Sequence, residues 1–137
     1  MPSVPKNDMP SWLAAADIST SVLIDLEELR NNSANKFFDA LAAGKPIAIN
    51  YGGWQADLLR DNDAGLVLDT RDSNSSARQL VSALHDKDWL KRAGDNGRRL
   101  AEVCFDCDKL VAQLEEVLVK AVNERDGAKP NKRCSPI

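Results

Sequence analysis

The stretch that decides the fold runs from Asn32 to Pro46 and reads NSANKFFDALAAGKP. Its apolar side chains, among them Phe37 and Leu41, recur at helical spacing and predict one short helix with a buried face. Gly44 is typical of the position just after a helix, and Pro46 cannot continue one. The stretch therefore predicts a helix that stops at Gly44 and leads into a strand.

The start of this helix carries the polar residues that point to a ligand. Ser33 is the expected N-cap, and Asn35 and Lys36 fall in the first turn beside unpaired backbone N–H groups. Asp39 lies on the same face, one turn further along. Backbone N–H donors, the helix dipole and an ammonium group suit a phosphate or diphosphate, and the carboxylate suits sugar hydroxyls. The pattern predicts a site for a nucleotide sugar. The structural alternative is an exposed ion pair between Lys36 and Asp39.

The surroundings of this helix predict an α/β fold. Apolar, β-branched segments that are typical of buried parallel strands occupy residues 18–24, 46–51 and 64–69. A polar loop over 25–32 precedes the helix, and a second short helix is predicted over 54–61. Strands that alternate with helices through short connections indicate right-handed βαβ units. The helix start is therefore expected at the carboxyl edge of the sheet, where open α/β folds bind ligands.

The remainder of the chain is predicted to be helical. A helix is expected to begin near Pro10 and to end at Asp17, and three more are expected over 76–85, 89–103 and 109–123. The last of these carries an apolar stripe that is typical of packing surface: Leu110, Leu114, Val117, Leu118 and Val122. Apolar periodicity then disappears. We expect one partial domain over 1–124 and a disordered tail over 125–137.

Composition narrows the class of protein. The chain has 137 residues, of which 43% are hydrophobic and 28% charged, enough for one globular domain. A net charge of −3 argues against general nucleic-acid binding. Neither an apolar run that could span a bilayer nor a signal-peptide core is visible, so we expect the protein to be located in the cytoplasm. The odd count of three cysteines does not predict a disulfide framework.

Three other patterns carry weaker hypotheses. Cys104 and Cys107 match C-x-x-C, which leaves a thiol redox function open, but free thiols at a helix junction are the favoured interpretation. The Asp-Asn-Asp run over 61–63 looks like a metal motif, yet these are ordinary turn residues at a helix end. His85 is the single histidine in the chain, so a Ser/His/Asp or Cys/His relay with a second histidine cannot be built.

Over residues 4–123, the order of these features resembles the C-terminal half of the nucleotide-sugar domain of family 4 retaining glycosyltransferases of the GT-B fold. The matching segments are residues 12–18, 33–46, 52–53 and 64–68, and the second is the specific one. Its Ser-Ala-Asn-Lys variant is similar to enzymes of bacterial surface-polysaccharide assembly, including fucosamine transferases. The resemblance implies a partial Rossmann-like domain with about three parallel strands, flanking helices and a helical C-terminal region.

The family signature, two glutamates separated by seven residues, falls here on Asn31 and Asp39. The resemblance implies that Asp39 binds the ribose hydroxyls, and that three side chains before it surround the diphosphate of a UDP-linked sugar: Ser33, Asn35 and Lys36. The first position contacts the transferred sugar in the family. Because Asn31 replaces glutamate there, Asn32 or Glu28 is a candidate substitute. Family members need no metal ion to bind the nucleotide.

The resemblance also implies that parts of the complete enzyme are missing from this sequence. The N-terminal acceptor domain and the first three strands of the nucleotide domain have no counterpart in this sequence, so residues 18–24 are expected to form an unpaired sheet edge. We therefore expect an inactive portion of an enzyme that needs that domain or a partner chain and that acts peripherally at the inner membrane face. The alternative is a non-enzymatic α/β interaction module that associates through this edge or through the C-terminal helix.

Overall fold

The computed structural model describes residues 5–24, 29 and 33–127. The chain divides after Cys104 into two compact units. The expected tail lies largely outside the described residues, because the described backbone ends at 127.

Three parallel strands form the sheet of the first unit. β1 (Ser19–Ser21), β2 (Ile47–Ile49) and β3 (Gly65–Val67) lie in the order β1-β2-β3. In the ladder, Ser19 pairs with Ile47, which in turn pairs with Gly65. The strands alternate with helices along the chain. The predicted α/β class with three parallel strands is therefore confirmed.

The first strand is shorter and more exposed than predicted. Only three residues of the segment 18–24 pair with β2, and Val22 and Ile24 are 62% and 70% exposed. The prediction of a strand buried on both faces was therefore wrong. The physical reason is position, because β1 is an edge strand and its backbone ladder ends at Ile49 of β2. Beyond that point the side chain of Asn50 takes over: its Oδ1 accepts from the Leu23 N–H and its Nδ2 donates to the Leu23 carbonyl, both at 2.8 Å.

The helices of this unit lie close to their predicted positions. A 3₁₀ turn (Lys6–Asp8) precedes α1 (Met9–Ala15), and the following helices are α2 (Asn35–Ala42), α3 (Trp54–Asn62), α4 (Ser73–His85) and α5 (Lys87–Cys104). α4 begins three residues earlier than predicted. The cause is Asp72, whose side chain caps the helix by accepting from the Ser75 N–H at 2.9 Å.

The core lies where α2, α3 and α5 cover the sheet. β2 is buried along its whole length, and Phe37, Leu41 and Leu59 are buried completely. α5 packs against α2, α3 and α4. The ring of Trp54, the first residue of α3, lies 5.9 Å from that of Phe37 and 6.2 Å from that of Phe38 between centroids. These aromatic contacts hold the first turns of α2 and α3 side by side.

The predicted end of α2 is confirmed. Gly44 has a φ of 65°, the left-handed conformation that closes a helix. Its N–H donates to the Leu41 carbonyl at 2.9 Å, and the Lys45 N–H donates to the Ala40 carbonyl at 3.0 Å. This pair of bonds satisfies carbonyls that the helix itself leaves unpaired, and the chain then enters β2.

The second unit contains α6 (Cys107–Gly127). It begins two residues earlier than predicted because Asp106 caps it, accepting from the Asp108 and Lys109 N–H groups at 3.0 and 3.2 Å. The predicted apolar stripe of Leu110, Leu114, Val117, Leu118 and Val122 is present, and each of these side chains is between 45% and 64% exposed.

Candidate functional site

The predicted anion site begins at Ala34 and not at Ser33. Ala34 is the N-cap of α2, with extended backbone angles and no capping side chain, and its carbonyl accepts from the Phe37 N–H at 2.9 Å. Ser33 lies one residue outside the helix and is exposed. The prediction of Ser33 as the cap was therefore wrong. Because Ala34 has no side-chain acceptor, the first-turn N–H groups of α2 donate no hydrogen bond to the side chain of the N-cap residue.

The start of α2 lies at the carboxyl edge of the sheet. α3 begins at Trp54, shortly after the last residue of β2, and Trp54 packs against Phe37 and Phe38 in the first turn of α2. Because β1 and β2 are parallel, both helix starts follow the carboxyl ends of strands. This edge is where open α/β sheets bind ligands.

The side chains predicted for the ligand are exposed on α2. Asn35, Lys36 and Asp39 all face solvent. Among the described residues, the ion pairs do not include one between Lys36 and Asp39. The alternative interpretation of these two residues as an exposed ion pair is therefore not what the structure shows. Asn31, Asn32 and Glu28 lie outside the described residues.

Asp39 has an apolar neighbourhood that the sequence did not suggest. It lies at a groove of about 310 Å³ whose other walls come from the N-terminal segment, with Met9 and Leu13 among them, and from Ala42 and Ala43 of α2. The N-terminal residues in this wall are distant from Asp39 in sequence, and they include Pro10 and the cationic Lys6. Asp39 nevertheless stays exposed, so its carboxylate remains available to an outside partner.

A buried polar chain, missed at the level of sequence, links the ends of β1 and β2 to α3. The Tyr51 hydroxyl lies 2.9 Å from Gln55 Oε1 and 3.4 Å from Ser21 Oγ. Ser21 and Gln55 are 3% and 1% exposed, and Gln55 Nε2 has no hydrogen-bond partner among the residues that the structure describes. Buried polar groups are normally paired, so this amide marks an unusual point beneath the carboxyl edge.

A cavity of about 590 Å³ lies one strand further along the same edge. Residues 50–53, which follow β2, and residues 67–71, at and after the end of β3, form its walls together with Arg60 of α3. Asp69 and Arg71 face each other in the wall. The Arg71 backbone N–H donates to Asp69 Oδ1 at 2.9 Å and, together with the Arg71 guanidinium, holds the pKa of the Asp69 carboxyl below its usual value.

The other polar patterns take up structural roles. Asp63, the last member of the Asp-Asn-Asp run, closes α3 and contacts α5, as a turn residue should. Cys104 and Cys107 are free and exposed.

Within residues 5–24, 29 and 33–127, the side chains of His, Cys, Asp and Glu do not form a group that could hold a metal ion. In that same part of the chain, every helix is too short or too polar to cross a membrane.

No protein-family model matches the chain. Over 115 residues, it is 24% identical to the Bacillus subtilis (strain 168) protein named "Putative glycosyltransferase YtcC", an alignment that covers 83% of this chain and 27% of that relative. The chain thus spans little more than a quarter of the curated relative it matches. The similarity supports a relation to glycosyltransferases.

Proposed function

We propose that this chain is the donor-binding portion of a retaining GT-B glycosyltransferase of family 4. The complete enzyme would move a sugar from a nucleoside diphosphate, UDP in the first instance, to a bacterial glycan or a lipid-linked acceptor at the inner membrane face. One observation carries the proposal: the start of α2 lies at the carboxyl edge of a parallel sheet with Asn35, Lys36 and Asp39 exposed on it. The similarity to a protein named as a glycosyltransferase supports it.

Each exposed side chain has a distinct task in this proposal. The diphosphate of the donor meets the positive end of the α2 dipole, and the Lys36 ammonium and the Asn35 amide add hydrogen bonds. The Asp39 carboxylate, one turn further along, accepts from the ribose hydroxyls. Asn31 and Asn32 precede the helix and would contact the sugar end of the donor. None of these tasks requires a metal ion.

The same proposal explains why the chain alone would not catalyse transfer. Transfer requires a positioned acceptor hydroxyl and stabilisation of the leaving diphosphate, and we assign both to the acceptor domain or partner chain that completes the enzyme. About three charge-assisted contacts at roughly 1.5–3 kcal/mol each, less the cost of association, correspond to a dissociation constant for UDP in the millimolar range.

NMR titration of the full chain with UDP tests the donor site. We expect saturable shifts in the backbone amides of residues 33–39. The variant Lys36→Ala should weaken binding about tenfold, because it removes a charge-assisted contact of about 1.4 kcal/mol. Lys120→Ala is the matched control, since Lys120 is a solvent-exposed lysine on α6 in the second unit.

Three results would speak against the donor site. The first is an absence of movement in the 33–39 amides at several millimolar UDP. The second is equal weakening by Lys36→Ala and Lys120→Ala, which would mean that only net charge matters. The third is a loss of UDP binding on addition of a chelator, because the proposal needs no metal ion.

A second candidate function is a non-enzymatic interaction module. The exposed apolar stripe on α6 favours it, and so does β1, which lies at the edge of the sheet. Such surfaces are rare on proteins that act alone. This candidate requires association without any response to nucleotides.

A further inference from the structure

The 590 Å³ cavity at the carboxyl ends of β2 and β3 has the size of a small-molecule site. Its walls combine backbone, apolar and charged groups. Gly52 is in the wall, and a side chain built at this position would meet no atom within 4 Å, so the backbone there borders open space. Tyr51, Val67 and Leu68 supply the apolar part of the wall.

Two guanidinium groups in the wall offer donors to an anion. Arg60 uses Nη1 to contact Asp57 at 3.2 Å, and Arg71 uses Nε to contact Asp69 at 3.4 Å. Each contact involves a single nitrogen of a group that carries five N–H donors. Among the described residues, the other nitrogens of both groups make no hydrogen bond within the chain, and these are the donors that recognise a phosphate in a bidentate manner.

The same wall also offers groups that recognise hydroxyls. Asp69, with its carboxylate, and Thr70, with its hydroxyl, line the cavity together with the two arginines. An aspartate carboxylate is ionised at neutral pH and accepts hydrogen bonds, and the Arg71 backbone N–H and guanidinium hold the pKa of Asp69 below its usual value. A carboxylate would repel a bare anion, so the arrangement favours a phosphate that carries hydroxyl groups.

We propose that this cavity binds a phosphorylated sugar, with Arg60 and Arg71 on the phosphate and Asp69 and Thr70 on the hydroxyls. The inference stands apart from the donor site on α2 and does not depend on it. A free sugar phosphate and the sugar-phosphate part of a larger molecule both carry the phosphate and hydroxyl groups that these residues would bind.

The test is an NMR titration of the full chain with glucose 1-phosphate, inorganic phosphate and glucose in parallel. We expect saturable shifts of the Gly52, Gly53, Thr70 and Arg71 amides, strongest for glucose 1-phosphate, weaker for phosphate and absent for glucose. The double variant Arg60→Ala/Arg71→Ala should weaken binding about tenfold or more, because two charge-assisted contacts are lost. Arg78→Ala/Arg99→Ala removes the same charge from exposed sites outside the cavity and serves as the control.

Several results would overturn the proposal. One is that the amide signals of residues 52–53 and 70–71 do not shift at several millimolar glucose 1-phosphate. Another is that phosphate and glucose 1-phosphate bind with equal affinity. A third is that the two double variants lose affinity for glucose 1-phosphate to the same extent. A titration with UDP separates the two sites. Shifts confined to 33–39 would support the donor site alone, and failure at α2 would leave the result for the cavity intact.

Discussion

At the scale of single residues, Asp63 holds a backbone conformation that glycine usually supplies. Its φ of 46° and ψ of 47° lie in the left-handed region, and the Ala64 N–H donates to the Leu59 carbonyl, the same closing bond that the Lys45 N–H makes after α2. The side chain offsets the backbone cost. Its two oxygens accept from Trp89 Nε1 at 3.2 Å and from Arg92 Nε at 3.1 Å, which ties the end of α3 to α5.

We expect Asp63→Ala to lower the free energy of unfolding by about 1–2 kcal/mol. Alanine loses both hydrogen bonds and keeps the left-handed strain. Asp63→Gly loses the same bonds but adopts this backbone freely, so it should be more stable than the alanine variant by about 1 kcal/mol. Urea unfolding followed by circular dichroism measures both. Because the Asp63 side chain is 51% exposed, solvent screening limits the ion-pair share of the effect.

An alanine variant as stable as the wild type would show that the contacts to α5 contribute nothing. A glycine variant less stable than the alanine variant would show that the left-handed backbone is not a cost at this position.

At the scale of elements, α2 and α5 cross in backbone contact. A Cβ built on Gly94 of α5 would lie 2.3 Å from the Gly44 carbonyl oxygen, and one on Gly97 would lie 3.1 Å from Leu41 Cδ2. Arg98 adds a hydrogen bond of 2.6 Å from Nη1 to the Ala42 carbonyl. Gly44 therefore ends α2, and the missing side chain of Gly94 lets α5 approach the Gly44 carbonyl.

Gly94→Ala should destabilise the protein by about 2–3 kcal/mol, because the added methyl group overlaps the backbone of Gly44 and forces the helices apart. In an ordinary helix the same change would stabilise by up to about 1 kcal/mol. The opposite signs make the experiment decisive, and chemical denaturation provides the measurement. Gly52→Ala is the control: it meets no atom within 4 Å and has no positive φ, so its effect should stay within about 0.5 kcal/mol.

At the scale of the whole molecule, the apolar face of α6 decides between the two candidate functions. Leu110, Leu114, Val117, Leu118 and Val122 lie exposed on one helix, and because each is about half exposed, complete burial would gain on the order of 1 kcal/mol per side chain. Such a face favours association with another surface. Sedimentation velocity on the reduced full chain, with and without UDP, therefore distinguishes the candidates.

We expect the chain to self-associate through this face, and Leu114→Asp to shift the distribution toward monomer. Ala112→Asp introduces the same residue on the other side of the helix and should leave the distribution unchanged. If both variants behave like the wild type, α6 is not the contact surface. Association that ignores UDP would favour the interaction module, and UDP binding at α2 would favour the glycosyltransferase portion.

The sequence by itself determined the class of fold, because hydrophobic periodicity and the glycine and proline signals at Gly44 and Pro46 are local properties of the chain. It also predicted which end of α2 would lie at the edge of the sheet, since that follows from strand–helix alternation. The tertiary structure decided the rest. The short β1, the contact of Tyr51 with Ser21, the cap at Asp63 and the cavity with Arg60 and Arg71 all depend on residues distant in sequence, such as Leu23 and Asn50, which are 27 positions apart. Local pattern carries no information about which distant side chains meet, and packing alone brings them together.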